Sequence, residues 1–520
     1  MPDLRSRNQY LDMLYRIAGG LDGMGGNPPV PLLFSNLINQ RRITVYQHKS
    51  DDEVLAEQAG GCLLALVIIA FMGLVRFLKD LFAPTPSGIN VGRKLTSIGF
   101  GPMVGIRVED RCKHAALTGA TGSGKSTLMQ NLILQDIEAG HGLAVIDPKG
   151  DLVEAVLRHA PAQRFDDFIV LDPNERDFPL GLNMVEPVAE VYRSRTASEV
   201  VSVFKKLFAD SWGPRLEYIL RYCILTLLEV PGSTLLDVPD LLQDEEYREA
   251  VMPFVTNFAV RNFWVSEYAT LSGGQRTQAI SPILNKVGPY LAYPEIRNVV
   301  GQAKSSIDLR QVMDQSKILL VPTSQGLLGE DTSNLFGSLV VSKLQLAAMT
   351  RTGLPAHRKP EFYLYADEFQ NFVTNAFEKV LTEARSYGLG LVVANQYPEQ
   401  LPRSLSLAVQ KNVAVHITCY LERNRHRALY CLLQDTQAPD LVVRPQPPPP
   451  GGSVQLARQI RYYSRQRYGR PRAAVERAIL ERRQRFYAHT RHHDNQTEGR
   501  LPAHAPRALP EPIEFWQEEG

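Results

Sequence analysis

The sequence has few cysteines and almost no net charge. Five cysteines in 520 residues stand apart without a CxxC spacing, so neither a disulfide framework nor a cysteine zinc site is indicated. This usage is typical of a protein whose bulk lies in reducing cytoplasm. The 57 basic residues nearly balance the 55 acidic ones. The average charge therefore says little about a polyanionic partner, because the placement of charges decides such binding.

Long apolar runs are also scarce. The chain is 44% hydrophobic and 22% charged, which is ordinary globular usage and excludes a multi-span membrane protein. One uncharged apolar stretch covers residues 59–75, and Arg76 and Lys79 follow it. This pattern predicts a transmembrane helix over residues 56–79, with a buried helix of the soluble part as the alternative. If it spans, residues 1–55 and the large remainder face opposite sides of the membrane.

The chain is too long for one compact core. After residue 113 a strand, loop, helix, strand order predicts an α/β fold. Helical periodicity dominates residues 188–308, and strand-like apolar runs then return, so we expect a helical insertion after which the chain re-enters the same sheet. The predicted parts are an N-terminal segment (1–55), a transmembrane helix (56–79), an α/β core (80–187 and 309–443), an all-helical insertion (188–308), a Pro-rich linker (444–452) and a basic helical or disordered tail (453–520).

Residues 119–126 read GATGSGKS, a full match to the phosphate-loop pattern between an apolar strand and a helix. Backbone N–H groups of such a loop point at phosphate oxygens, and the following helix offers its positive end. Lys125 is expected to reach the β- and γ-phosphates and Ser126 to ligate Mg²⁺, whereas the Thr127 side chain is better assigned to helix packing. The alternative is a chance match in a flexible loop. The predicted nucleotide-binding residues are Gly119, Ala120, Thr121, Gly122, Ser123, Gly124, Lys125, Ser126 and Thr127.

A second apolar run, residues 362–366, ends in Asp367 and Glu368. Phosphoryl transfer needs an acid in the Mg²⁺ shell and a base that polarises the attacking water. We predict the first role for Asp367 and the second for Glu368; the alternative is a solvated acidic pair at a strand end. Asp147 also ends an apolar strand but lacks an adjacent acid, so we expect a supporting polar role near the nucleotide or the next subunit.

Two further polar residues border the next predicted strand. Gln396 follows the strand GLGLVVAN and is placed to sense the γ-phosphate or the water, with a turn amide as the alternative. Arg385 ends the preceding helix and could reach a neighbouring subunit's nucleotide as a charge-stabilising finger. A helix-end salt bridge is an equally open interpretation of Arg385.

The string LSGGQ at residues 271–275 reproduces the signature of ABC transporter ATPases. In that family the acid-bearing strand follows soon after the signature, but here Asp367 lies 92 positions after Gln275. We therefore interpret LSGGQ as a loop that opens a helix of the insertion.

Five strings together resemble the conjugative type IV coupling proteins (the TraG/TraD-like group) within the HerA and FtsK class of ring-forming motor ATPases. The resemblance covers roughly residues 98–443. It rests on GATGSGKST, on DPKGDL at residues 147–152, on LDPNERDFPLGLNMVEP, on LYADEFQNF and on EARSYGLGLVVANQYPEQL.

The resemblance implies a RecA-like P-loop ATPase core that uses ATP and Mg²⁺. Lys125 falls on the Walker A lysine and Asp367 and Glu368 on the Walker B pair, while Arg385 falls on the arginine finger and Gln396 on the glutamine sensor. It also implies a homo-hexamer in the bacterial inner membrane, with the ATPase part cytoplasmic, that feeds single-stranded DNA and its relaxase into a secretion channel. The family usually has two membrane helices, whereas this sequence offers one.

Residues 451–500 contain 12 arginines and no lysine against four acids, with tyrosines interleaved. Such a tail suits DNA contact, and a basic helix that touches anionic lipid or a partner protein is an open alternative. Two other functions share the nucleotide residues: a cytoplasmic HerA-like DNA translocase, and an ATPase receptor for protein substrates of a secretion system.

Overall fold

The computed structural model describes residues 88–497, apart from residues 97–98, 375–376, 423–427 and 436–437. The predicted transmembrane segment 56–79 and the end of the predicted tail lie outside the described residues. Among those that are described, none of the helices has both the length and the apolar character needed to cross a membrane.

The described chain begins with an antiparallel strand pair and then alternates strands with helices. Gly124 and Gly150 lie in the left-handed region directly before the two main helices of this part, so each turn places a helix start at the end of a strand. In chain order the elements are β1 (Gly88–Thr96), β2 (Gly99–Arg107), α1 (Val108–Arg111), β3 (Ala115–Thr118), α2 (Lys125–Glu138), β4 (Gly142–Asp147), α3 (Asp151–Arg158) and β5 (Phe168–Val170).

The regular elements within residues 188–308 are all helical. Ser272 caps the longest of these helices, and its main-chain N–H binds the side chain of Gln275 at 3.1 Å, which confirms that LSGGQ opens a helix. The helices are α4 (Glu190–Leu207), α5 (Pro214–Leu227), α6 (Val238–Gln243), α7 (Glu245–Val251), α8 (Phe258–Asn262), α9 (Gly273–Ala292) and α10 (Pro294–Val300).

The chain then returns to the sheet. The remaining elements are α11 (Leu309–Asp314), β6 (Ile318–Pro322), α12 (Gln325–Leu328), α13 (Glu330–Met349), β7 (Phe362–Ala366), α14 (Phe377–Glu383), β8 (Leu389–Asn395), α15 (Arg403–Asn412), β9 (Val415–Glu422), β10 (Ala428–Asp435), β11 (Ala438–Pro445), α16 (Val454–Tyr468) and α17 (Arg472–Thr497).

Within the described residues, eleven strands form one sheet in the order β2-β1-β11-β10-β9-β3-β8-β7-β4-β6-β5. The strands from β9 to β5 pair in parallel, and those from β2 to β9 pair antiparallel. β4, β6, β7 and β8 are buried along their full length, as expected for parallel strands covered on both faces. The predicted α/β fold and the re-entry into one sheet are confirmed; the antiparallel half was not predicted.

Alternate residues of the central strands pack into two separate cores. Leu364 and Ala366 of β7 face the core that contains α4, α5 and α13. Tyr363 and Tyr365 face the core that contains α2, α3 and α16. The helical region therefore packs on the sheet face opposite to the helix that follows the phosphate loop.

The start of the Pro-rich stretch and the helices α16 and α17 lie against the body of the protein. The Asn131 side chain of α2 donates to the carbonyl oxygens of Gln446 and Pro447, at 2.9 and 3.2 Å. α16 packs on α3 and β5, and its Ser464 hydroxyl accepts the main-chain N–H of Val170 at 2.8 Å. α17 packs on α7 and α10. Strand β11 extends to Pro445 and so includes the first two residues of the predicted linker (444–452), and the next two residues of that linker are bound to α2.

Candidate active site

Four adjacent parallel strands, β3, β8, β7 and β4, end at one edge of the sheet. Thr118 at the end of β3 pairs with Asn395 at the end of β8, and Ala366 at the end of β7 pairs with Ile146 of β4. Ligands of open α/β sheets bind outside such carboxyl ends. The edge therefore brings together sequence segments that lie more than two hundred residues apart.

The phosphate loop follows β3 directly. A Cβ at Gly119 would lie 2.4 Å from the main-chain oxygen of Cys419, so only glycine fits between the loop and β9. The Lys125 amine rests on the carbonyl oxygens of Gly119 and Ala120. Among the described residues, the buried Ser123 hydroxyl finds no hydrogen-bond partner. An unpartnered hydroxyl and an ammonium group held only by loop carbonyls fit a cradle for phosphate oxygens.

Asp367 lies beside the phosphate loop. The Ser126 hydroxyl donates to Asp367 Oδ2 at 3.4 Å, and Asp367 Oδ1 accepts the main-chain N–H of Glu368 at 2.9 Å. Burial and the nearby charge of Asp147 raise the pKa of Asp367, and Lys125 opposes this shift. Ser126 and Asp367 could hold Mg²⁺, since this ion is usually bound by one or two carboxylates together with substrate phosphates.

Glu368 is held by three donors. Its carboxylate accepts from Gln370 at 2.8 Å, from the Lys149 amine at 3.2 Å and from Gln396 at 3.5 Å. Burial alone would raise the pKa of Glu368, but the hydrogen bonds from Gln370 and Lys149 bring it below its usual value. Glu368 also lies in the left-handed region, with φ 47°, a strained conformation typical of functional sites. The group is therefore a carboxylate at neutral pH, as a proton acceptor requires.

Gln396 connects the loop and the acids. Its main-chain oxygen accepts the N–H of Gly119 at 3.1 Å, and its side chain reaches Glu368. The structure thus brings Lys125, Ser126, Asp367, Glu368 and Gln396 together. β8 inserts between the phosphate-loop strand and the acid strand, which places Gln396 between their functional groups.

Asp147 is almost fully buried and turns both oxygens to its own backbone. Oδ1 accepts the N–H of Lys149 and Oδ2 that of Val153, each at 3.0 Å. Asp147 therefore orders the turn into α3 and presents Lys149 to Glu368, which agrees with a supporting polar role.

Arg385 is not part of this cluster. It is exposed in the turn Ala384–Tyr387 that precedes β8, so it lies at the amino edge of the sheet, away from the phosphate loop of its own protomer.

Sequence reasoning missed two residues that contact Glu368. Lys149 stands inside the DPKGDL string and Gln370 two positions after Glu368, so both lay within recognised strings without an assigned role. Lys206, which contacts the main chain of Gln370, carries no local signal because its contact depends on the packing of α4.

Several arginines of the basic tail are paired with carboxylates of the same chain. Arg461 pairs with Glu154 and Asp172, at 3.2 and 3.4 Å. The Arg482 guanidinium binds both oxygens of Asp237, at 2.6 and 2.8 Å. Four further tail arginines have carboxylate partners in the same structure: Arg465, Arg467, Arg472 and Arg483.

Comparison with known proteins gives one family match. Residues 101–418 match the family described as the type IV secretion-system coupling protein DNA-binding domain. A curated relative, the type 4 coupling protein DotL of Legionella pneumophila subsp. pneumophila, is 21% identical over 377 residues, which cover 59% of this chain and 47% of DotL. The chain thus spans about half the length of this relative.

Solved structures that are similar to the chain include those of TrwB and VirB4. The plasmid coupling protein TrwB in complex with ADP and Mg²⁺ is 15% identical, with a TM-score of 0.46 over 73% of this chain and 94% of TrwB. VirB4 of Thermoanaerobacter pseudethanolicus is 15% identical, with a TM-score of 0.44 over 70% of this chain and 98% of VirB4.

Proposed function

The chain belongs to the type IV secretion-system coupling protein family, and from this premise we propose that it is an ATP-driven DNA translocase that delivers DNA to a secretion or conjugation channel. The single observation that carries the proposal is the meeting of Lys125, Asp367, Glu368 and Gln396 at one edge of the sheet.

The proposed chemistry is in-line transfer of the γ-phosphoryl group of ATP to water. Lys125 neutralises charge on the β- and γ-phosphates, and residues 119–127 supply main-chain N–H donors. Ser126 and Asp367 would hold Mg²⁺, which supplies further neutralisation of the phosphate oxygens. Glu368 accepts the proton of the attacking water, and Gln396 orients that water or the γ-phosphate.

We further propose that the active assembly is a homo-hexamer. The exposed position of Arg385 at the amino edge leaves its guanidinium available to the nucleotide of a neighbouring protomer. Arg385→Ala subunits mixed with wild type should then inhibit ATP hydrolysis more steeply than their share of the mixture. Inhibition in strict proportion to the mutant share would contradict a finger that acts across subunits.

The remaining assignments follow from the family and the sequence. We propose residues 80–187 and 309–443 as the motor core, residues 188–308 as the insertion, and residues 56–79 as the anchor in the bacterial inner membrane, with the motor in the cytoplasm. The proposed substrates are single-stranded DNA and its relaxase, which the motor passes to secretion-channel proteins. Fractionation of the full chain, with recovery outside the membrane fraction as the contrary result, tests the anchor.

ATP hydrolysis by the full chain, measured with and without single- and double-stranded DNA across a salt series, tests the motor function. We expect hydrolysis to rise with single-stranded DNA and the stimulation to fall as salt increases, because phosphate contacts release counterions. Lys125→Ala serves as the inactive control. An ATP hydrolysis rate that neither DNA changes at low salt would contradict a DNA motor and favour a receptor for protein substrates.

A further inference from the structure

The helical region contacts the segment that carries Glu368. α4 ends at Leu207, and in its last turn the Lys206 amine donates to the main-chain oxygen of Gln370 at 3.0 Å. α4 also packs on α13 and α5, so its end is fixed relative to both. The contact joins the helical region to the loop after β7, across the sheet face opposite to α2.

Gln370 passes this contact on to the carboxylate. Its main-chain oxygen accepts from Lys206, while its side-chain amide donates to Glu368 Oε2 at 2.8 Å. The short turn between them is anchored, since the rings of Phe369 and Phe372 are fully buried on either side of Gln370. Because this turn is anchored, a shift of Lys206 would displace the Gln370 amide that donates to Glu368.

Lys205, the residue before Lys206, makes an ordinary surface contact at the same end of α4. Lys205 is exposed and forms an ion pair with Glu217 of α5 at 2.8 Å. In the part of the chain that the structure describes, no carboxylate lies within ion-pair distance of Lys206. Burial lowers the pKa of Lys206 to about 7, which a surface salt bridge would not do.

We propose that Gln370 is a positioning residue for the Glu368 carboxylate, and that Lys206 holds Gln370 in place, so that movement of the helical region changes the rate of ATP hydrolysis. Lys149 holds the other oxygen of Glu368 from the turn after β4. Lys149 and Gln370 thus hold different oxygens of the Glu368 carboxylate, and Gln370 is the one that contacts the helical region through Lys206. This proposal rests on the proposed function for the role of Glu368 as the base.

Steady-state kinetics of the full chain test the proposal. Gln370→Met removes the donor at similar volume, and we expect about a tenfold lower kcat with KM for ATP unchanged, because the contact serves the reacting geometry and not ground-state binding. Lys206→Met should lower kcat several-fold in the same way, and Lys206→Arg should restore most of it. Lys205→Met is the matched control and should leave both parameters unchanged. A raised KM with unchanged kcat in Lys206→Met would overturn the proposal.

Amide hydrogen exchange gives a second readout that needs no ATP turnover. The N–H groups of Phe372 and Val373 bond to the carbonyl of Phe369, and their exchange should become faster in Lys206→Met but not in Lys205→Met. Exchange at the wild-type rate in Lys206→Met would overturn the proposal that Lys206 holds Gln370 in place. A wild-type chain without ATP hydrolysis would overturn the proposed function, whereas the exchange result would still decide the role of Lys206. If Lys206→Met does not fold, Lys206→Arg and Gln370→Met carry the test through the same two measurements.

Discussion

The carboxyl edge of the parallel strands and the two C-terminal helices are both rich in charged residues, yet their charges are used differently. At the edge, Lys125 rests on loop carbonyls and Ser123 has no partner among the described residues. In α16 and α17, guanidinium groups such as those of Arg461 and Arg482 bind carboxylates of the body. Polar groups at the edge therefore remain available to bind a ligand, whereas these tail arginines already bind carboxylates of the protein.

This difference shows that a cluster of like charges in sequence is a weak guide to a binding site. The arginine-rich tail suggested contact with a polyanion, but several of its arginines bind carboxylates in other parts of the chain. The phosphate loop contains a single lysine in its pattern, and the fold concentrates around it the groups that phosphoryl transfer needs. The predictions below test this contrast, from the largest expected effect to the smallest.

Loss of the proposed base should have the largest effect. Glu368→Gln keeps the size of the side chain, but its NH₂ group cannot accept the hydrogen bond that a carboxylate oxygen accepts at that position, and the amide cannot accept a proton. We therefore expect a 10²- to 10⁴-fold lower kcat, the usual contribution of a general base. The affinity for ATP should stay near that of the wild type in a binding titration with Mg²⁺ present. Normal hydrolysis by this variant would place the base elsewhere.

Arg482→Met tests the tail as a structural element. Asp237 is 1% exposed in its side chain, and removal of its partner leaves a buried charge unpaired, which costs about 3 kcal/mol. We expect a clearly lower melting temperature and faster proteolysis in the native buffer, with unchanged affinity for single-stranded DNA under conditions where the variant is folded. Wild-type melting combined with weaker DNA binding would instead make Arg482 a ligand contact.

Lys149→Met should shift the acid limb of the pH–rate profile. Lys149 helps to keep the pKa of Glu368 below its usual value, so its removal raises that pKa and Glu368 becomes protonated at a higher pH than in the wild type. We expect the acid limb of the kcat profile to move to higher pH, with little change near pH 8. Lys149→Arg keeps the positive charge and serves as the control. An unshifted acid limb would show that Lys149 does not act on Glu368.

Arg467→Met should have the smallest effect. Arg467 and Asp166 form an ion pair whose side chains are 48% and 76% exposed, and such surface pairs contribute less than about 1 kcal/mol. The melting temperature should change little beside that of Arg482→Met. A fall in melting temperature as large as that of Arg482→Met would mean that the stabilising effect of a tail arginine does not depend on its exposure.

The predictable parts of the molecule are those that local sequence determines. The phosphate loop and the Asp367–Glu368 pair were predicted because each is a short string at the end of an apolar strand. Re-entry into the sheet could be predicted because the runs at β6, β7 and β8 resemble those before the helical region. The antiparallel half could not, since β1 pairs with β11 more than three hundred residues away and no local pattern specifies that partner. The contact of Lys206 with Gln370 depends likewise on packing between distant elements.

The Ser464 hydroxyl bound to the main chain of Val170 has a consequence beyond the tail itself. β5 is the last strand on its side of the sheet, and an unprotected outer strand invites pairing with strands of other molecules. α16 lies along this strand and occupies one of its free backbone donors. α16 therefore covers part of the outer edge of the sheet, where a strand of another molecule could otherwise pair.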